Sequence, residues 1–207
     1  MLSAIQEKYL EYRFGPEVVV VSGLPRSGTS MMMSMLNAGG LNVMADGIRE
    51  ADVDNPKGYF EDERVKDLES MTDKSWIRNA RGKVLKVISF LLKDLPKDNR
   101  YRIIFMRRDL DEILASQNKM IEHRGADDST DDAIMKELYR SDIARARVLH
   151  QRSNNIHMLE VKYTTVITDP VSVATQVNQF LGGALDERAM SAVVDPSLYR
   201  NRSTPRT

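Results

Sequence analysis

Two glycines, an arginine and three hydroxyl side chains sit together in Gly23-Leu-Pro-Arg-Ser-Gly-Thr-Ser30. Four residues separate Gly23 from Gly28, and two further positions precede a methionine-rich run. That spacing gathers backbone N–H groups around a phosphate at the start of a helix. A loop that holds a nucleoside triphosphate places Lys and then Ser or Thr after the second glycine. The lysine reaches the β/γ-phosphates and the hydroxyl holds magnesium. Here those positions are Thr29 and Ser30, and the cation is Arg26, inside the loop. The displaced cation suits a different anion, one without a γ-phosphate or an obligatory metal. A glycine pair alone serves an ordinary tight turn. The whole pattern, entered from four consecutive valines, favours phosphate.

A second segment, Ile103-Ile-Phe-Met-Arg-Arg-Asp-Leu-Asp-Glu-Ile-Leu-Ala-Ser116, also passes from strand-like to helical spacing. Arg108 falls at the strand's end, and Ser116 lies about two helical turns further on. Asp109 with Glu112 three residues later is a capping-box arrangement. A third segment, Val161-Lys-Tyr-Thr-Thr-Val-Ile-Thr-Asp-Pro170, carries Tyr163, then Asp169 as an N-cap and Pro170 as a first helical residue.

Pro25-Arg-Ser-Gly-Thr-Ser30 resembles the 5′-phosphosulfate loop of the sulfotransferase family, in the form common among bacterial members and tyrosylprotein sulfotransferases. Arg108 followed eight residues later by Ser116 resembles that family's 3′-phosphate signature, and Tyr163 with Asp169-Pro170 resembles its late strand. The resemblance implies 3′-phosphoadenosine-5′-phosphosulfate as donor. It implies Arg26 at the 5′-phosphate and the bridging oxygen. The backbone around Ser27, Gly28, Thr29 and Ser30, with the Thr29 and Ser30 hydroxyls, would complete the cradle. Arg108, Ser116 and Tyr163 would hold the rest of the nucleotide. No metal is expected.

Lys86 interrupts the apolar run Val84–Ile88. The family places a lysine on this strand near the transferred sulfuryl group. An edge-strand lysine reaching to water is the other reading. Cytosolic members carry a catalytic histidine two residues later, where this chain has Ile88. His123, His150 and His157 match no base position and read as surface or packing residues. A carboxylate is therefore expected as base, with Glu61 first and Glu50 and Asp46 behind it. Arg200 and Arg202 either close the 3′-phosphate site, in place of the family's Arg-Lys-Gly run, or belong to a solvated tail. Arg200 is counted with the donor-binding set.

The elements that must position these residues follow from periodicity and breakers. A short helix or arm is expected over 1–15, strands near 17–22, 84–88, 101–106 and 156–162, and a loop from 37 to 56. Helices are expected near 28–38, 62–73, 130–151, 170–181 and 186–193, with another after Arg108. The 130–151 helix should bury Ile134, Leu138 and Leu149. An acidic loop covers 124–132, and residues 195–207 form a basic tail. Alternating strands and helices predict one α/β domain over 1–207. It would be a three-layer sandwich around a parallel sheet of about four to five strands, like the P-loop nucleotide hydrolases. Arg26, Lys86 and Arg108 would meet at the strands' carboxyl edge.

Thirty basic and thirty acidic residues balance, so no overall positive field argues for nucleic acid. There is no cysteine, which excludes disulfides and thiolate chemistry. No apolar run is long enough to span a membrane, and residues 1–8 lack a leader's pattern. A cytoplasmic enzyme is expected. It would move a sulfuryl group to a hydroxyl or amine on a small-molecule or polymer acceptor. The competing readings are a P-loop kinase or nucleotide hydrolase, and a non-catalytic nucleotide binder.

Overall fold

The computed structural model describes residues 4–48, 60–123 and 131–199. Glu50, Arg200, Arg202 and most of the 124–132 loop lie outside them. Among the described residues no helix is long and apolar enough to cross a membrane.

Five parallel strands form one sheet in the order β2-β3-β1-β4-β5. They are β1 (Val18–Gly23), β2 (Val43–Met44), β3 (Val84–Lys86), β4 (Tyr101–Arg107) and β5 (Ile156–Lys162). Every residue of β1 is buried, which explains its unbroken valine run. A strand covered on both faces has no solvent side to alternate with. From β1 the chain passes to the edge strand β2, returns to β3 beside β1, and then crosses β1 to β4 and β5 on the other side. The switch point is thus at the end of β1, where ligands bind in open sheets of this kind.

Alternate valines of β1 feed two cores. Val19 and Val21 meet Met32, Met33, Met35 and Leu36 of α2 (Thr29–Ala38), with Val173, Ala174 and Val177 of α6 (Pro170–Leu181) and Met190 of α7 (Glu187–Ala192). Val18 and Val20 face the opposite layer. It holds Ile113 and Leu114 of α3 (Leu110–His123) and Tyr139, Ile143 and Ala146 of α4 (Asp132–Arg152). The remaining helices are α1 (Ala4–Phe14) and the short α5 (Tyr163–Thr168). Asp169 caps α6 by accepting from the Ser172 amide at 3.1 Å, and Gly182 ends it at φ 105°.

Four expectations need correction. The 37–56 loop contains β2, a two-residue edge strand too short to show a period. The 62–73 helix is only the 3₁₀ turn Glu63–Asp67, capped by Asp62. Ile134 and Leu138 are 58% and 52% exposed, so they do not join the buried stripe. That stripe runs through Tyr139, Ile143 and Ala146, with Met135 and Leu149 packed beside it, at the three- and four-residue steps of one helix face. Finally, β3 stops at Lys86, short of Ile88, which leads into the 3₁₀ turn Ser89–Asp94; β5 has the expected bounds, and Tyr163 opens α5 after it.

Candidate active site

The loop between β1 and α2 has a strained, closely packed backbone. A side chain on Gly23 would meet Ser27 Oγ at 2.5 Å and the Met106 carbonyl at 2.7 Å. Arg26 adopts φ 65°, one of two non-glycine residues with positive φ among the described residues. Such strain clusters at functional sites. Gly28 is the N-cap of α2 at φ 97° and, as a glycine, offers no side-chain cap. The N–H groups of its first turn therefore open toward the loop, with the positive end of the helix dipole behind them. A Cβ on Gly28 would strike the Tyr163 ring at 2.5 Å, so both space and conformation demand glycine here. Ser27 is fully buried, with its amide closing a turn to the Leu24 carbonyl at 3.2 Å. Thr29 is 7% exposed.

Arg26 points toward α3. Its Nε donates to Ser116 Oγ at 3.0 Å. Arg108, just beyond β4, donates from Nη1 to the Arg26 carbonyl at 3.1 Å. Its guanidinium lies 4.5 Å from the centre of the Tyr163 ring. The loop, β4, α3 and α5 thus bring Arg26, Arg108, Ser116 and Tyr163 into one cluster. Burial pushes the Tyr163 phenol above its ordinary pKa, so it stays neutral.

Asp109 caps α3 through Oδ1, which accepts from the Asp111 and Glu112 amides at 2.9 and 3.3 Å. Half of the expected capping box is present. The Glu112 carboxylate turns instead to Arg108 Nε at 3.0 Å, and Tyr199 donates to its other oxygen at 2.6 Å. Sequence reasoning missed Glu112 as more than a cap and missed Tyr199 altogether. The i,i+4 spacing of Arg108 and Glu112 was the one available signal.

A second cluster lies at the end of β3. Lys86 is not on an edge, because β2 lies outside its strand. Its side chain is 10% exposed, which removes the reading of a lysine reaching to water. Nζ donates to Glu61 Oε1 at 3.0 Å and to Ser30 Oγ at 3.4 Å. Lys86 therefore links the first turn of α2 to Glu61. The residue before Glu61, Phe60, is the other non-glycine residue with positive φ, at 52°.

Asp46 serves this segment as a clip. Its carboxylate accepts from the Glu63 amide at 2.6 Å and the Ile48 amide at 3.0 Å, and its own amide donates to the Glu61 carbonyl at 3.1 Å. These backbone donors, Glu63 first, hold its pKa below the ordinary carboxylate value. A lowered pKa suits a clip better than a proton acceptor. His150 bonds through Nδ1 to the Ile156 carbonyl at 3.1 Å, at the start of β5 and the opposite edge of the sheet.

The arrangement gathers three cations, a helix start with glycine at its N-cap, and a carboxylate at one sheet edge. Such a site can align a doubly anionic nucleotide, stabilise charge on a leaving oxygen and accept a proton.

The sulfotransferase family profile matches residues 74–187. This stretch includes Lys86, Arg108, Ser116 and Tyr163 and begins after the Gly23–Ser30 loop. Among solved structures, a sulfotransferase domain from the curacin biosynthetic pathway is similar at 12% identity and TM-score 0.50, over 93% of each chain. A sugar kinase from Janibacter sp. HTCC2649 shares 12% identity at TM-score 0.40, over 87% of this chain and 99% of its own. The curated proteins contain no sequence match.

Proposed function

Because this chain belongs to the sulfotransferase family, as the match over more than half its length establishes, we propose that it transfers a sulfuryl group from 3′-phosphoadenosine-5′-phosphosulfate to a hydroxyl or amine. The observation that carries this reading is the meeting of Arg26, Lys86 and Arg108. They come from three separate segments and converge beside the start of α2.

In this reading the bond between sulfur and the bridging oxygen of the donor breaks as the acceptor's oxygen or nitrogen bonds to sulfur. The leaving group is 3′-phosphoadenosine-5′-phosphate. As in phosphoryl transfer, the protein's tasks are alignment and charge stabilisation. The α2 amides with Thr29 and Ser30 hold the 5′-phosphate. Arg26 stabilises the charge that grows on the bridging oxygen, which favours the transition state over the bound donor. Lys86, held between Ser30 and Glu61, faces the equatorial sulfuryl oxygens. Arg108, Ser116 and Arg200 receive the 3′-phosphate, and Tyr163 walls that side. Glu61 takes the acceptor's proton. Arginine and lysine supply the positive charge, so the reading needs no metal.

Thermal stabilisation by 3′-phosphoadenosine-5′-phosphate, but not by ATP with Mg²⁺, is the expected result. The reverse would favour a kinase or nucleotide hydrolase. Transfer from ³⁵S-labelled donor to a panel of phenols, alcohols and amines then separates an enzyme from a nucleotide binder.

A further inference from the structure

Arg108 meets a charge of the wrong sign for an anion site. Its side chain is 8% exposed and is paired with Glu112, which is 2% exposed, at 3.0 Å. By Coulomb's law alone, a buried carboxylate here should weaken the hold on any phosphate. Its detailed geometry argues otherwise. One Glu112 oxygen takes Arg108 Nε, and the other takes the Tyr199 hydroxyl at 2.6 Å. The Arg26 carbonyl takes Arg108 Nη1. The guanidinium lies 4.5 Å from the Tyr163 ring centre and 5.6 Å from that of Tyr199. The two rings meet edge to face at 5.3 Å. Burial, with Glu112 next, pushes the Tyr199 phenol up to about 12, so it remains a donor. Arg108 is thereby held in its plane and along its edge. Planar, two-pronged recognition of phosphate depends on that orientation.

We propose that Glu112 is a positioning residue for recognition of the donor's 3′-phosphate. It fixes the plane of Arg108, and Tyr199, brought in after the turn Pro196–Leu198, fixes Glu112. The inference rests on the reading of Arg108 as the 3′-phosphate's partner. It adds that the acid beside the cation strengthens recognition instead of weakening it. It also ties the segment around Tyr199 to selectivity for the 3′-phosphate.

Calorimetric titration of the full chain with 3′-phosphoadenosine-5′-phosphate and with AMP tests this. The readout is the ratio of the two dissociation constants, which general damage to the fold would not change selectively. Wild type should prefer the bisphosphate, and Arg108→Ala should abolish the preference. Glu112→Ala should reduce it about tenfold, the scale of one charge-assisted hydrogen bond, with AMP affinity kept. Tyr199→Phe, which keeps the ring, should reduce it in the same direction by less. It decides alone if Glu112→Ala does not fold. A wild-type protein without the preference overturns the site reading, and this proposal with it. If wild type and Arg108→Ala behave as expected but the other two variants retain or raise the preference, only the role of Glu112 is overturned. Equal loss of both ligands would likewise overturn it.

Discussion

Arg26 Nε donates to Ser116 Oγ at 3.0 Å, across 90 positions of sequence. The contact joins the loop assigned to the 5′-phosphate with the helix assigned to the 3′-phosphate. The two halves of the proposed nucleotide site are therefore one hydrogen-bonded unit, and substitutions in one half should be felt in the other.

Ser116→Ala tests that unit. The variant loses a donor to the 3′-phosphate and releases Arg26. Affinity for 3′-phosphoadenosine-5′-phosphate should fall by about 1.5–3 kcal/mol, the worth of a hydrogen bond to a charged group. Affinity for AMP should also fall, but by less, because Arg26 loses its partner while the 5′-phosphate keeps its other contacts. Equal losses, read by calorimetry, would place Ser116 outside the 3′-phosphate site.

Arg26→Ala should lower kcat more than it weakens product binding, because charge on the bridging oxygen develops only as the sulfuryl group departs. Arg26→Lys should retain part of the rate, with a charge but no planar fork. Steady-state kinetics beside product titration separate this role from simple anchoring, which would reduce both alike.

The buried Arg108–Glu112 pair makes a stability prediction. Arg108→Ala strands Glu112 as an unpaired buried charge and should cost about 3–5 kcal/mol, visible in denaturant melts. Combining Arg108→Met with Glu112→Leu should recover most of that stability while leaving no 3′-phosphate recognition. A double variant as unstable as Arg108→Ala would show that the pair's geometry, not the stranded charge, sets the cost.

Glu61→Gln should reduce turnover by about 10²–10⁴ with donor affinity intact. Asp46→Ala should reduce turnover less, because it frees the segment carrying Glu61 without removing the carboxylate. The pH response separates the two. The folded state lowers the pKa of Asp46, so its contribution is present above the ordinary value of 3.8 and is lost as pH falls through the lower folded value. Wild type should therefore lose an acid-stability increment that Asp46→Ala lacks. Wild-type turnover in Glu61→Gln would pass the role of base to Glu50.

Much of the framework was legible because it is local. The valine run of β1 declares a strand covered on both faces, and Asp169-Pro170 with Gly182 marks both ends of α6. The three cations were found because each sits where a strand ends. Other features depend on distance in sequence. Val43–Met44 becomes a strand only because β3 lies beside it. Ile134 and Leu138 satisfy helical spacing, but packing against the sheet selects the neighbouring face. Tyr199 meets Glu112 across 87 positions, which no local pattern encodes. Glu61 and Lys86 were each singled out, but their pairing through β3 and the Phe60 turn was not foreseen.

The most direct test of the central claim is calorimetric titration of the wild-type protein, in EDTA, with 3′-phosphoadenosine-5′-phosphate and with AMP. If Arg108 and Ser116 receive a 3′-phosphate as desolvated, charge-assisted partners, the bisphosphate should bind at least about thirtyfold tighter, the low end of such contacts. It should do so without added metal. Equal affinities, or binding that appears only with Mg²⁺, would contradict the account.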